Sequence, residues 1–214
     1  MKRRERDDAG ITITEFVIAM AIFSFVLLAF AASVRFMASS AIRVQSVADT
    51  STQARQAVDR LSRQLAYASA VNLPARYTPT DLPGQGLSWY LELLTEAVPN
   101  GGAARCNQWR LLPVTQELQT RSWDIVSYTP SAWVTVAKPV VNLGTDATQQ
   151  PFAVRHTDTT FTLVRVFVDL RIKNGQGPVL QSQGQYAVRN SVSNGAPPSA
   201  NGVCARPATG VVDR

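Results

Sequence analysis

Hydrophobic and polar positions divide this chain into three regimes. From Phe16 to Val34 it reads FVIAMAIFSFVLLAFAASV, nineteen residues without a charge or a proline. As a helix rising about 1.5 Å per residue, this run spans roughly 28 Å, one hydrocarbon core. Only a structure that satisfies its own backbone crosses lipid, so residues 11–35 are predicted to form a membrane-spanning helix. Beyond it the pattern becomes amphipathic. Met37, Ala41, Val44, Ala48, Ala54, Val58, Leu61, Leu65 and Ala68 recur mostly at steps of three and four, opposite Arg35, Arg43, Asp49, Arg55, Asp59 and Arg63. Residues 36–73 are therefore expected to continue the same helix with its apolar stripe laid on a sheet, and Asn72 and Pro74 to end it. A helix over 11–72 is about 90 Å long.

The third regime, 74–214, reads as a globular domain built on antiparallel strands. Pro74, Pro79, Pro83, Gly84, Gly86, Pro99, Gly101 and Gly102 punctuate its start, so 74–105 is read as a long connection lying over the sheet. Within it LSWYLELL, from Leu87 to Leu94, fits a strand or a short helix. Trp109–Leu112 and Asp124–Tyr128 read as strands, and Trp133–Val141 as an apolar segment with Pro139 at an edge or an end. The clearest alternation is TFTLVRVFVDLRI, Thr160 to Ile172. The turn Lys173-Asn174-Gly175-Gln176-Gly177 then returns the chain through Val179–Arg189 as an antiparallel partner. From Ser191 the tail is rich in Ser, Asn, Gly, Ala and Pro and is expected to be loop.

Composition and charge add little. The 21 Lys and Arg against 15 Asp and Glu give a net charge of +6, compatible with nucleic acid or an anionic surface as a partner. The basic residues are scattered, however, with no run beyond Lys2-Arg3-Arg4. No catalytic signature is present: His156, near Asp158, is the sole histidine, and no nucleophile elbow, phosphate loop or zinc-protease motif occurs. No enzyme activity, cofactor or metal is expected. Trp89, Tyr90, Trp109, Trp123 and Trp133 either fill a helix–sheet core or form a binding face. Cys106 and Cys204 stand in no metal-ligand spacing. In an exported domain they are read as a disulfide closing a loop of about 100 residues, for which the chain-entropy model gives roughly 4.7 kcal/mol.

The N-terminus carries the most specific signal. The cluster Lys2, Arg3, Arg4 and Arg6 precedes the apolar run and holds that end in the cytoplasm. Three readings compete: a secretory signal peptide using Ala29-Phe30-Ala31, a plain single-span anchor, and a processing signal in Gly10-Ile11-Thr12-Ile13-Thr14-Glu15. The apolar run exceeds the usual ~7–15 residues of a signal-peptide core, and the first two readings leave Glu15 unexplained. Gly10 followed by ITITEFVIAMAIFSFVLLAF resembles the prepilin-type cleavage and methylation motif of type IV pilins and type II secretion pseudopilins. In that pattern a basic leader ends in Gly, and Glu is the fifth residue of the mature chain before an apolar helix. Here the leader is 1–10, the first mature residue Ile11 and the fifth Glu15. The stretch ARQAVDRLSRQLAY, Ala54 to Tyr67, and the ending Val188-Arg189-Asn190 are also similar to the larger minor pseudopilins of the J type. Ile11 stands where Phe is frequent, and no proline precedes Pro74, unlike many bulk subunits.

The resemblance implies an α+β, pilin-like fold with a long N-terminal helix on an antiparallel sheet. It also implies a minor structural subunit of a pilus or pseudopilus, placed at or near the filament tip; the alternative is a tip binding module, an adhesin or DNA-uptake subunit. The implied partners are a prepilin peptidase, which cuts after Gly10 and methylates the Ile11 amine, other pilin or pseudopilin subunits, an inner-membrane assembly platform, and membrane lipid before assembly. Lacking a side chain, Gly10 lets the backbone extend into a narrow cleft. A carboxylate beside hydrocarbon is costly without a partner, and the new amine on a neighbour's Ile11 supplies one for Glu15.

Overall fold

The computed structural model describes residues 12–96, 103–142, 149–155, 163–173, 178–190 and 203–204. One helix, α1 (Ile13–Tyr67), opens it. The chain divides after Gln45 into two units. In the first, α1 is long and apolar enough to cross a membrane. Its residues 13–39 are all exposed, including Phe16, Phe23, Phe25, Leu28 and Phe30. The hydroxyls within this run find acceptors on their own helix: Ser24 donates to the Met20 carbonyl at 2.8 Å and Ser33 to that of Ala29 at 3.0 Å.

The second unit begins at Ser46. Here Thr50, Ala54, Ala57, Leu61 and Leu65 form the buried stripe of α1, at helical steps of three and four. The small side chains at 54 and 57 let the helix approach the sheet closely, and Leu61 and Leu65 anchor it. Each of those leucines, fully buried, contributes roughly 1.5–3 kcal/mol. The expected stripe differed in two ways. Met37 and Val44 are 72% and 70% exposed, and Ala41 is exposed too, all before Ser46; Ala48 is exposed because it lies off the stripe set by Thr50, Ala54 and Ala57. Ala57, taken for neither face, lies at its centre.

Among the described residues nine strands follow: β1 (Ala70–Val71), β2 (Ala75–Tyr77), β3 (Ser88–Thr95), β4 (Arg105–Leu112), β5 (Glu117–Asp124), β6 (Val134–Ala137), β7 (Phe152–Arg155), β8 (Val164–Ile172) and β9 (Leu180–Val188). All pairings are antiparallel. The larger sheet runs β1-β3-β4-β5-β6, with β2 also on β3, and the smaller runs β7-β8-β9. A bridge between Val140 and Ile172 stitches the two together, helped by the Val141 N–H donating to the Arg171 carbonyl at 2.7 Å. One apolar core joins α1 (Leu61, Leu65), the larger sheet (Trp89, Leu91, Leu93, Trp109, Leu111, Leu118) and the smaller (Phe152, Val166, Val168, Leu170, Ile172).

The hairpin β8–β9 forms where alternation placed it, with Val166, Val168, Leu170 and Ile172 facing the core; residues 160–162 and 174–177 lie outside the described residues, as does the expected loop at 191–202. Several other expectations are corrected. The helix ends at Tyr67, five residues before Asn72. Ser69 instead donates from both its N–H and its hydroxyl to the Leu94 carbonyl, at 2.7 and 3.0 Å. Asn72 extends the ladder, its side-chain oxygen accepting from the Glu92 N–H at 2.7 Å. The supposed connection 74–105 contains β2 and β3, and β3 is the interior strand that pairs β1, β2 and β4. Among the described residues, its middle lies over the sheet, where Asp81 meets Arg110 and Gln85 accepts from Thr115. Asp124–Tyr128 is a turn; the strand there is 117–124. The segment 109–112 is the end of a strand that starts at Arg105.

Candidate functional site

At the start of α1, Thr12 and Glu15 form a reciprocal cap. Thr12 donates from its N–H and its hydroxyl to Glu15 Oε2, each at 3.0 Å, and the Glu15 N–H donates back to Thr12 Oγ1 at 3.3 Å. The Phe16 N–H donates to the Thr12 carbonyl at 3.2 Å, which makes Thr12 the N-cap and Glu15 the third helical residue. This is a capping box: it satisfies donors that helix geometry leaves without partners, and it sets a negative charge against the positive end of the helix dipole. The pattern Thr-x-x-Glu that signals it stands in the sequence at Thr12 and Glu15. Both donors converge on Oε2, and Oε1 receives none among the described residues. Gly10 and Ile11 lie outside the described residues.

Cys106 and Cys204 are joined by a disulfide across 98 positions of sequence, with Cα atoms 5.9 Å apart. Cys106 opens β4 on the face turned away from α1. With Trp123, Leu94, Ile125 and Val203 the bridge forms a second, smaller apolar cluster. The bond therefore carries the chain from far downstream back onto the outer face of the sheet.

The rest of that outer face is polar yet buried, and sequence reasoning missed it. On one row Arg110 donates from Nε to Gln119 at 2.8 Å and from a terminal nitrogen to Asp81 at 2.7 Å. Gln119 donates to Glu117 at 2.7 Å, and Glu117 accepts from Lys138 at 2.7 Å. On the next row Arg121 donates to Gln108 at 2.8 Å, and Gln108 to the buried Glu92 at 2.9 Å. Trp133 covers both rows, its ring centroid 3.9 Å from the Arg110 guanidinium carbon and 4.4 Å from that of Arg121. The hydrogen bond from Arg110 holds the Asp81 carboxyl below the usual aspartate range, and Lys138 does the same for Glu117. Burial pushes the Tyr90 phenol up. The chemistry is that of a cross-strand hydrogen-bond network which fixes strand register, open to water at Asp81 and Lys138.

The aromatics divide accordingly. Trp89 and Trp109 are in the helix–sheet core. Tyr90 and Trp123 are buried, on the face that bears Arg110 and Cys106, and Trp133 is the half-buried cover. No three His, Cys, Asp or Glu residues among those described are grouped to hold a metal ion; His156, Asp158 and Asp146 lie outside them. Comparison with protein-family models, with curated proteins and with solved structures finds no match.

Proposed function

We propose that the protein is a minor, prepilin-like subunit of an extracytoplasmic filament, a type IV pilus or a type II secretion pseudopilus. It is processed after Gly10, held in the membrane by α1 before assembly, and built in through the same helix. The observation that carries this reading is an apolar helical run exposed on all sides, with one carboxylate in its first turn. The helix cap engages only Oε2 of that acid and leaves its other oxygen for a partner. In the proposed filament the apolar surface exchanges lipid for the helices of neighbouring subunits. The Ile11 amine freed by cleavage meets Glu15 Oε1 of the adjoining subunit, while Oε2 stays committed to Thr12. The prepilin peptidase, the assembly platform and sister subunits are the partners, and the domain after the span lies outside the cytoplasm. The resemblance of residues 54–67 and 188–190 to J-type minor pseudopilins supports a place near the tip.

The deciding experiment is mass spectrometry of the mature protein extracted from membranes, with co-purification on sheared filaments. The expected N-terminus is a methylated Ile11, and Gly10→Val should retain the leader and stay out of filaments. A mature start at Ala32 would establish a secretory signal peptide and sink the proposal.

A further inference from the structure

The outer face of the smaller sheet holds a groove of about 410 Å³, within the size range of small-ligand clefts. Phe167 on β8 and Ala153 on β7, directly paired across the two strands, give it an apolar floor. Gln150, Gln183 and Gln185 line it together with Asp169. Three glutamine amides of the larger sheet and α1 act as bridges: Gln64 to Trp109 and Asn107, Gln108 to Glu92 and Arg121, Gln119 to Arg110 and Glu117. In the groove, the amides of Gln150, Gln183 and Gln185 make no hydrogen bond among the described residues. Each amide offers two donor hydrogens and one acceptor oxygen. Asp169 is fixed in place, accepting from Gln181 at 3.0 and 3.2 Å and pairing with Arg171 at 3.4 Å. Its charge is thereby offset, and the Arg155 guanidinium lies 5.2 Å from the Phe167 ring centroid.

From this arrangement we infer that the groove binds a neutral saccharide. Hydroxyl groups are donor and acceptor at once, as the three free amides are, and the apolar C–H face of a sugar ring suits Phe167 and Ala153. An anionic ligand would meet the Asp169 carboxylate. An extended peptide recognised by strand addition would use the backbone at an edge, whereas the unspent groups here are side chains on a sheet face. Gly184 forms part of the groove wall. The inference goes beyond the filament reading and stands without it, since binding is measured on the unassembled chain.

The test is saturation-transfer NMR on the full chain in micelles of a zwitterionic detergent without a sugar headgroup. The probes are cellotriose, maltotriose and N-acetylchitotriose. At least one should receive transfer with a Kd in the millimolar range. The double variant Gln183→Ala/Gln185→Ala, two exposed positions, should weaken it about tenfold with no change in melting temperature. Phe167→Ala should do likewise. Absence of transfer to all three sugars up to about 10 mM overturns the inference, as does transfer undiminished in the glutamine variant. A neutral Gly-Ser tetrapeptide that binds with the same sensitivity to Gln183 and Gln185, where the sugars do not, replaces it with a peptide groove.

Discussion

The Trp109 indole N–H donates to the Gln64 side-chain oxygen at 2.6 Å, and the Gln64 amide in turn donates to Asn107 Oδ1 at 3.1 Å. One glutamine on α1 thus serves two alternate residues of β4 on its helix-facing side. Trp109 is fully buried, so its N–H has no access to water if Gln64 is lost. Gln64→Leu keeps the bulk and removes the acceptor. It should cost about 1–3 kcal/mol, the penalty for a stranded buried donor, read as a lower denaturant midpoint with an unchanged slope.

The Asp81–Arg110 pair gives the fold a defined acid sensitivity. The Arg110 side chain is 2% exposed and that of Asp81 45%, so water screens only one partner. Because Arg110 lowers the folded-state pKa of Asp81, its contribution is present above the ordinary aspartate value of about 3.9 and is lost as pH falls through the lower folded value. Asp81→Asn should therefore be less stable than the native protein at neutral pH. The difference should shrink as the solution is acidified below that range. A gap that persists unchanged at low pH would show that the carboxylate's charge is not what counts.

The disulfide should matter more than its place near the chain's end implies. Cys106 is fully buried and Cys204 nearly so, and Val203 packs into the same cluster. The native protein should resist thiol alkylation until it is both unfolded and reduced. Cys204→Ser should lose about 2–5 kcal/mol by thermal or denaturant unfolding. Full labelling of the untreated protein at both positions would refute the bridge.

Gly184→Ala tests the packing behind the small sheet. The added methyl would collide with the Tyr186 ring, whose nearest atoms lie 2.5 and 2.8 Å from the Cβ position. Because those atoms are the far end of a half-buried side chain that can swing aside, the cost should stay below about 1 kcal/mol. The pair Gly184→Ala/Tyr186→Leu should recover most of it, a coupling that a double-mutant cycle measures directly.

How much of this was legible in the sequence depended on whether water lies on one side of each element. α1 and the β8–β9 hairpin have a buried and a wetter face, so their periods of 3.6 and 2 showed. β3 is buried nearly throughout, from Ser88 to Thr95, and its run SWYLELLT carries no alternation to read. β4 and β5 hide Arg110, Gln108 and Gln119 on a covered face, so RCNQWRLL and ELQTRSWD looked like mixed, partly exposed sequence. Their polar residues are satisfied by one another across strands, a relation between distant positions that no local pattern reveals. The disulfide was legible because two cysteines outside any metal-ligand spacing leave one pairing. The end of α1 was not, because Asn72 and Pro74 imitate a stop signal while the carbonyl of Leu94 ends the helix earlier.

Glu15 now has two separable roles, and two substitutions divide them. As the third residue of α1 it caps the helix through Oε2; as an acid in an apolar surface it is proposed to meet a neighbour's amine through Oε1. Glutamine keeps the capping geometry, since the box accepts Glu or Gln, but carries no charge. Alanine loses both. Neither change touches Gly10, so Glu15→Gln and Glu15→Ala should both be cut after Gly10 and both reach the membrane, because removing a charge eases insertion. The cap alone is worth about 0.5–2 kcal/mol, and its loss in Glu15→Ala should appear as fraying of the first helical turn, measurable by amide exchange in micelles. Assembly should follow the charge instead. At native expression, recovery of both variants in sheared filaments should fall by at least about tenfold, which corresponds to 1.4 kcal/mol. If Glu15→Gln assembled like the native protein while Glu15→Ala failed, the carboxylate would be a helix cap and nothing more, and the amine of the next subunit would need another partner.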